Sequence, residues 1–336
     1  MSNVLENTVE LPELAGPAVD AAYDVSGRRM ATCVPSSSGC IIQVYECGSG
    51  PDAWTQVAAW ETDLQVTHLA WAHPEYGRVL AGATTSGAVL VWGQVPELQL
   101  GGPGAAGAGG EDSSGGGGGG GGAYYQPLAM LNCGGAACSA LVFAPRQSGL
   151  LLAALLEDGH LAVHEAEDVL VPRAWSLHSK IRVGPRGQCR GLCWRPFSPG
   201  VPPMLCVGGG PHALVWQYVL ALNSWQIVAR VDTGNGHNVE TVHWAAPLGR
   251  SAELLAVGAG RDLLIYSLAG DTASLQVEQL AALGHAEAVW KVEWDLWGNQ
   301  VAAATEGQEV HVYKPNLVGA WVELASVRGQ GPEEQE

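Results

Sequence analysis

Ten histidines and eight cysteines are the residues of this chain best suited to bind a metal or move a proton. Their spacing points to structural roles instead. His160 and His164 lie four apart in an alternating run, HLAVHEA. On a strand that spacing puts both side chains on one face, ~13 Å apart, too far for a single ion. Cys189 and Cys193 share the spacing and the problem. His237 and His285 each follow a glycine just ahead of a strand-like run, where a histidine hydrogen-bonds within its own sheet. His73 precedes Pro74 and orders a turn. The cysteines (Cys33, Cys40, Cys47, Cys133, Cys138, Cys189, Cys193 and Cys206) include no paired CxxC set. They read as reduced, strand-buried thiols of an intracellular protein.

The carboxylates Glu157, Asp158, Glu165, Glu167, Asp168, Glu293 and Asp295 are scattered. Arg28 and Arg29 are adjacent and would point to opposite sides of a strand. No Ser/His/Asp arrangement emerges from spacing. The glycines of Gly101 to Gly122 are not followed by the Lys-Ser/Thr and helix start that a phosphate loop requires. The expectation is therefore a non-enzyme with no catalytic residue, cofactor or metal. A propeller hydrolase, with acids converging on a central channel, is the rival from another class.

The elements behind these residues are short alternating runs, the signature of half-buried strands. Gly284 to Val327 shows the unit: AVWKVEW, QVAAATE, EVHVYKP and WVELASV, parted by turn residues. Four such strands make an antiparallel meander, which cannot bury both faces alone. Five further sets precede it. The aromatic ending each first strand falls at Tyr23, Trp71, Phe143, Trp194, Trp244 and Trp294, with gaps of 48, 72, 51, 50 and 50. Setting aside the 22 residues of Gly101 to Gly122 turns 72 into 50. The third strands carry Tyr45, Trp92, His164, Trp216, Tyr266 and Tyr313 in the same register. Trp54, Trp175, Trp225 and Trp321 open fourth strands. A period near 50 residues with four strands each is a propeller period.

The fold class predicted is all-β: a WD-type propeller of six blades over residues 17–327, with a disordered Gly-rich loop, 101–122, inside blade two. Residues 1–16 form an N-terminal lead or edge strand, and 328–336 an acidic tail. No seventh blade is visible, so the ring is expected to stay open between blades one and six. Such a gap exposes apolar surface and unpaired strand edges, which a partner covers by adding strands.

Charge narrows the partners. A net charge of -17 with only 16 Lys+Arg repels phosphate backbones and anionic lipid, so no direct nucleic-acid binding is expected. No secretory leader is expected after the first Met. No apolar run approaches the roughly 20 residues of a membrane span, so direct membrane insertion is not expected either.

Three stretches carry a resemblance. GRRMATC at Gly27–Cys33, WAHPEYG at Trp71–Gly77 with VLAGATTSGAVLVW after it, and AVWKVEW at Ala288–Trp294 are similar to the SEC-thirteen-like family of WD-repeat scaffold proteins. The resemblance spans all six repeats apart from the Gly-rich insert. GRRMATC and the short lead favour the family's nucleoporin side over its vesicle-coat (COPII-type) side; the latter, or a general WD-repeat adaptor, stays open as the alternative. The resemblance implies an open propeller in the Y-shaped outer-ring complex of the nuclear pore, at the nuclear envelope of the nucleus, supporting nucleocytoplasmic transport. It also implies a helical scaffold nucleoporin that donates a β-blade beside blade one, and other Y-complex subunits as partners. The partner-binding candidates are then Val4, Leu5, Val9 and Leu11 in the lead, with Val19, Ala21 and Tyr23 in blade one. A second set is expected at the top rim, where the residue after the first apolar position of each first strand lies: Thr67, Arg190, Glu240 and Trp290, with Val19 and Ser139 in the same series.

Overall fold

A computed structural model describes residues 11–48, 50, 53–95 and 124–329 of the chain. Lead positions Val4, Leu5 and Val9, the Gly101 to Gly122 insert and most of the acidic tail lie outside the described residues. The described chain forms six antiparallel four-stranded sheets, each with its strands in chain order.

Blade one is β1 (Asp20–Tyr23), β2 (Arg29–Pro35), β3 (Cys40–Cys47) and β4 (Trp54–Thr62). Blade two is β5 (Val66–Trp71), β6 (Val79–Thr84), β7 (Ala88–Val95) and β8 (Tyr124–Asn132). Blade three is β9 (Cys138–Phe143), β10 (Leu151–Leu156), β11 (His160–Ala166) and β12 (Trp175–Arg182). Blade four is β13 (Cys189–Trp194), β14 (Met204–Gly209), β15 (His212–Val219) and β16 (Ser224–Asp232). Blade five is β17 (Val239–Trp244), β18 (Glu253–Ala259), β19 (Asp262–Asp271) and β20 (Ser274–Gly284). Blade six is β21 (Val289–Trp294), β22 (Val301–Thr305), β23 (Glu309–Pro315) and β24 (Trp321–Arg328). The last strand thus runs one residue into the stretch expected to be tail.

The aromatic period has a physical cause. The indole Nε1 of Trp71 donates to Ala22 O at 3.0 Å, that of Trp194 to Val142 O at 3.4 Å, and that of Trp294 to His243 O at 3.0 Å. Each indole thus reaches the residue just before the equivalent aromatic of the preceding blade. The innermost strands pack in order, β1 on β5, β5 on β9, β9 on β13, β13 on β17 and β17 on β21. Tight turns between strands need glycine: at Gly87 (φ +79) an added Cβ would lie 2.3 Å from Ala136 O.

The core is divided among the junctions. One apolar cluster joins blades one and two, and others join two and three, three and four, four and five, and five and six. Among the described residues no sixth cluster joins blade six back to blade one.

Candidate partner-binding surface

The unclosed junction has two faces, and they differ. In blades two, three and four the second strand is buried at every position, because a neighbouring blade covers each side. In β22 burial alternates: Val301, Ala303 and Thr305 are buried against blade five, while Ala302 and Ala304 are half-buried on the other side. Strand pairing extends that outer side into two rows. One runs Glu293, Ala302, Val312, Ala325; the other runs Lys291, Ala304, Val310, Val327. The rows are aliphatic at the centre. Lys291, Glu293 and Val310 are exposed, as are Val322 and Leu324 on the outermost strand.

The outer face of blade one also forms two rows: Tyr23, Met30, Tyr45, Gln56 and Ala21, Thr32, Gln43, Ala59. Here Met30, Thr32, Gln43 and Tyr45 are buried. The lead lies across them. Ala15 N donates to Gln43 Oε1 at 3.1 Å, and Gln43 Nε2 donates to Glu13 O at 2.7 Å. The described lead is therefore a segment laid over blade one; it adds no strand to the sheet. Val19 N donates to Cys33 O at 2.8 Å and prolongs the β1–β2 ladder by one residue. Val19 (52%) and Tyr23 (57%) stay exposed, as does Ala21, so three of the expected edge residues stand free beside the junction. Leu11 is half-buried in the lead. Tyr23 packs edge-to-face on Trp54 at 5.9 Å; unlike Trp71, Trp194 and Trp294, it has no preceding blade to reach.

The rim candidates converge on the central channel, a cavity of about 1080 Å³ lined by Thr67, Ser139, Arg190, Glu240 and Trp290 among others. Each of these five sits where the pairing of first and second strands shifts register. A bulge there turns the side chain toward the channel mouth. Arg190 pairs with Glu240 at 2.8 Å, Thr67 Oγ1 donates to Ala83 O at 3.4 Å, and Trp290 is 55% exposed.

Some titratable groups in and around the channel bridge neighbouring blades, and others pair within one blade. Asp20 Oδ2 accepts from Leu69 N at 2.7 Å, and Glu293 lies 3.5 Å from Lys291. His243 Nδ1 accepts from Trp294 N at 2.7 Å. Burial lowers the pKa of His243, as it does that of His68. His285 Nε2 meets the Tyr313 hydroxyl at 2.9 Å, within blade six. His160 contacts Asp158 at 3.1 Å, and His164 is buried in β11. The cysteines are unbridged; all but the half-buried Cys47 are buried.

One feature had no sequence signal. Glu253 accepts from Arg195 Nε at 2.8 and 2.9 Å, from its Nη2, and from Trp244 Nε1 at 2.9 Å. This carboxylate ties blade four to blade five through a residue 58 positions away.

Among the described residues, the last blade of this six-bladed propeller keeps one aliphatic face without a neighbour, a layout suited to binding another protein. No protein-family model matches the chain. Among the curated proteins it is similar to are several named Nucleoporin SEH1: those of Xenopus tropicalis and Homo sapiens are 27% identical over 330 residues, spanning 93% of this chain and 85% of theirs. That of Danio rerio is 27% identical over 335 residues, spanning 93% and 84%. The chain is thus similar, along 93% of its length, to proteins named as nucleoporins. Among solved structures, a chain of the Mitotic Checkpoint Complex matches with TM-score 0.60 at 14% identity, covering 88% of this chain and 75% of that one. A protein from Lactobacillus plantarum matches with TM-score 0.65 at 10% identity, covering 92% and 84%. These two likenesses establish the fold alone. The homologues support a nuclear pore scaffold subunit, localised at the nuclear pore complex of the nuclear envelope, with other pore subunits as partners. Homologues and fold together suggest a structural non-enzyme.

Proposed function

We propose that this chain is a scaffold subunit of the Y-shaped outer ring whose open junction accepts a blade from a helical nucleoporin, and that it serves nucleocytoplasmic transport in that assembly. One observation carries the reading: six blades share five apolar cores, and blade six presents Ala302, Ala304, Val310, Val312, Ala325 and Val327 to no neighbour among the described residues. Covering such a face stabilises a complex by roughly 2.5 kcal/mol for every 100 Å² of aliphatic surface removed from water. The exposed residues Val19, Ala21 and Tyr23 supply the edge beside which a donated strand would pair. The mechanism is complementation of shape and edge, without chemistry.

The test is co-purification. A tagged chain expressed with pore subunits should migrate as a stable complex with one of them, and its fluorescent fusion should mark the nuclear rim. Marking endoplasmic-reticulum exit sites would favour the vesicle-coat reading. A chain that stays monomeric, with blade one paired directly on blade six, refutes the donated blade.

A further inference from the structure

The lead is held to blade one by an unusual contact. A single carboxamide, that of Gln43, reads two main-chain groups of an extended segment, the Ala15 N–H and the Glu13 carbonyl. Gln56 Oε1, 2.6 Å from Gln43 Nε2, accepts a further bond from it and so fixes the carboxamide's orientation. Gly16 passes close enough over Val34 that a Cβ there would sit 3.4 Å from Val34 Cγ1. Nothing in this contact set depends on a particular side chain of the lead.

The fit is incomplete. Thr32 lies directly opposite Gln43 in register, and Tyr45 opposite Met30. Their hydroxyls are buried and have no hydrogen-bond partner, with the residues only 2% and 0% exposed. Buried hydroxyls without partners are uncommon in settled interfaces. The lead is also strained: Glu13 adopts φ 58, a left-handed conformation that a non-glycine residue takes at a cost.

We infer that the outer face of blade one, built on Gln43, Thr32 and Tyr45, is a binding site for an extended peptide main chain, and that Glu13–Gly16 is its exchangeable resident ligand. Resting on the donated-blade reading, the lead then acts as a placeholder that an incoming strand displaces. A strand that also bonds the two hydroxyls would gain roughly 2- to 12-fold in affinity from each.

The probe is a fluorescein-labelled synthetic peptide of the sequence from Leu11 to Val19, read by fluorescence polarisation. A chain lacking residues 1–16 should bind it, and the intact chain should bind it at least about tenfold more weakly, since its own lead fills the site. In the full chain, Ala15→Pro removes the N–H that Gln43 accepts and should admit the peptide about 2- to 12-fold better than wild type. Glu13→Gly relieves the left-handed strain and should exclude the peptide more strongly. Equal binding by the truncated and intact chains, with the truncated chain folded by circular dichroism, overturns the inference. Should the truncated chain fail to fold, Ala15→Pro decides: no gain over wild type overturns it equally. No pore subunit takes part in this experiment. Peptide exchange without partner capture would leave this site standing and sink the donated blade, and the converse would sink this site alone.

Discussion

Two adjacent alanines of β22 separate the open face from the packed one. Ala303 is fully buried among Ile265, Val289 and Tyr313 at the junction of blades five and six. Ala304 is half-buried on the outer face, and Lys291 stands opposite it in register. A carboxylate at 303 would be desolvated with no cation beside it, a penalty of several kcal/mol, comparable with the roughly 5–15 kcal/mol that holds a domain together. Ala303→Glu should therefore yield insoluble or unfolded chain. A carboxylate at 304 meets water and Lys291, so Ala304→Glu should change stability by no more than about 0.5 kcal/mol. Once a partner covers that face, the same carboxylate is desolvated, and a penalty of about 3 kcal/mol lowers affinity by about 100-fold. The assay pairs thermal unfolding of both variants with co-purification of Ala304→Glu alongside pore subunits. If Ala304→Glu unfolds as Ala303→Glu does, the outer face is packed against the chain's own ring and the open junction is wrong. If it is stable and captures partners as well as wild type, this face is not the docking surface.

Three further outcomes are expected. Glu253→Gln leaves the Arg195 guanidinium, with its side chain 7% exposed, without a counter-charge; urea unfolding should show a loss of about 3 kcal/mol, and a loss near 0.5 kcal/mol would reduce the pair to an ordinary surface contact. Burial holds the pKa of His164, His243 and His285 below the usual 6.5. The unfolded chain then takes up protons as pH falls through about 6.5 while the folded chain does not, so this stabilisation is complete above that pH and declines toward pH 5. Melting temperatures should fall over that range, His243→Gln should flatten the slope, and a pH-independent melt contradicts the assignment. A thiol reagent should label Cys47 in the native chain and all eight cysteines only in denaturant; labelling of several buried thiols in the native chain would mean that the blades open readily.

The propeller is legible in the sequence because its period is imposed by contacts between blades. An indole that must reach the preceding blade's carbonyl can occupy only one position per repeat, so Trp71, Trp194 and Trp294 mark the strands as they mark the junctions. The recurring placement of Thr67, Ser139, Arg190, Glu240 and Trp290 has a related cause: in blades two to six a bulge follows the first residue of the first strand. The asymmetry of the junction was not legible. Residues 301–305, VAAAT, alternate in burial, whereas residues 79–84, VLAGAT, are buried throughout. The two are nearly alike in composition, and only the missing neighbour tells them apart. Gln43 gave no signal either, since a polar residue inside an alternating strand reads as solvent-facing until something is laid over it. The Arg195–Glu253 pair joins residues of different blades, and no local pattern announces a contact of that range.

An open ring has two bare faces, and this chain treats them unequally. Blade one's face is occupied by a segment of the same polypeptide, bound through main-chain groups and leaving two hydroxyls unmet. Blade six's face is bare at its aliphatic centre among the described residues and carries the exposed Lys291 and Glu293 along its inner edge. An apolar centre with charged margins is the layout of a specific interface, and charges along an edge discourage copies of the chain from pairing with one another. A partner strand approaching the junction thus meets a free anchoring surface on one side and an occupied, replaceable one on the other. On the proposed donated-blade reading, docking first on blade six and then displacing the lead follows from that difference. The order is measurable: Ala304→Glu should slow capture of the partner, whereas Glu13→Gly should leave first contact unchanged and slow only the step that locks the complex.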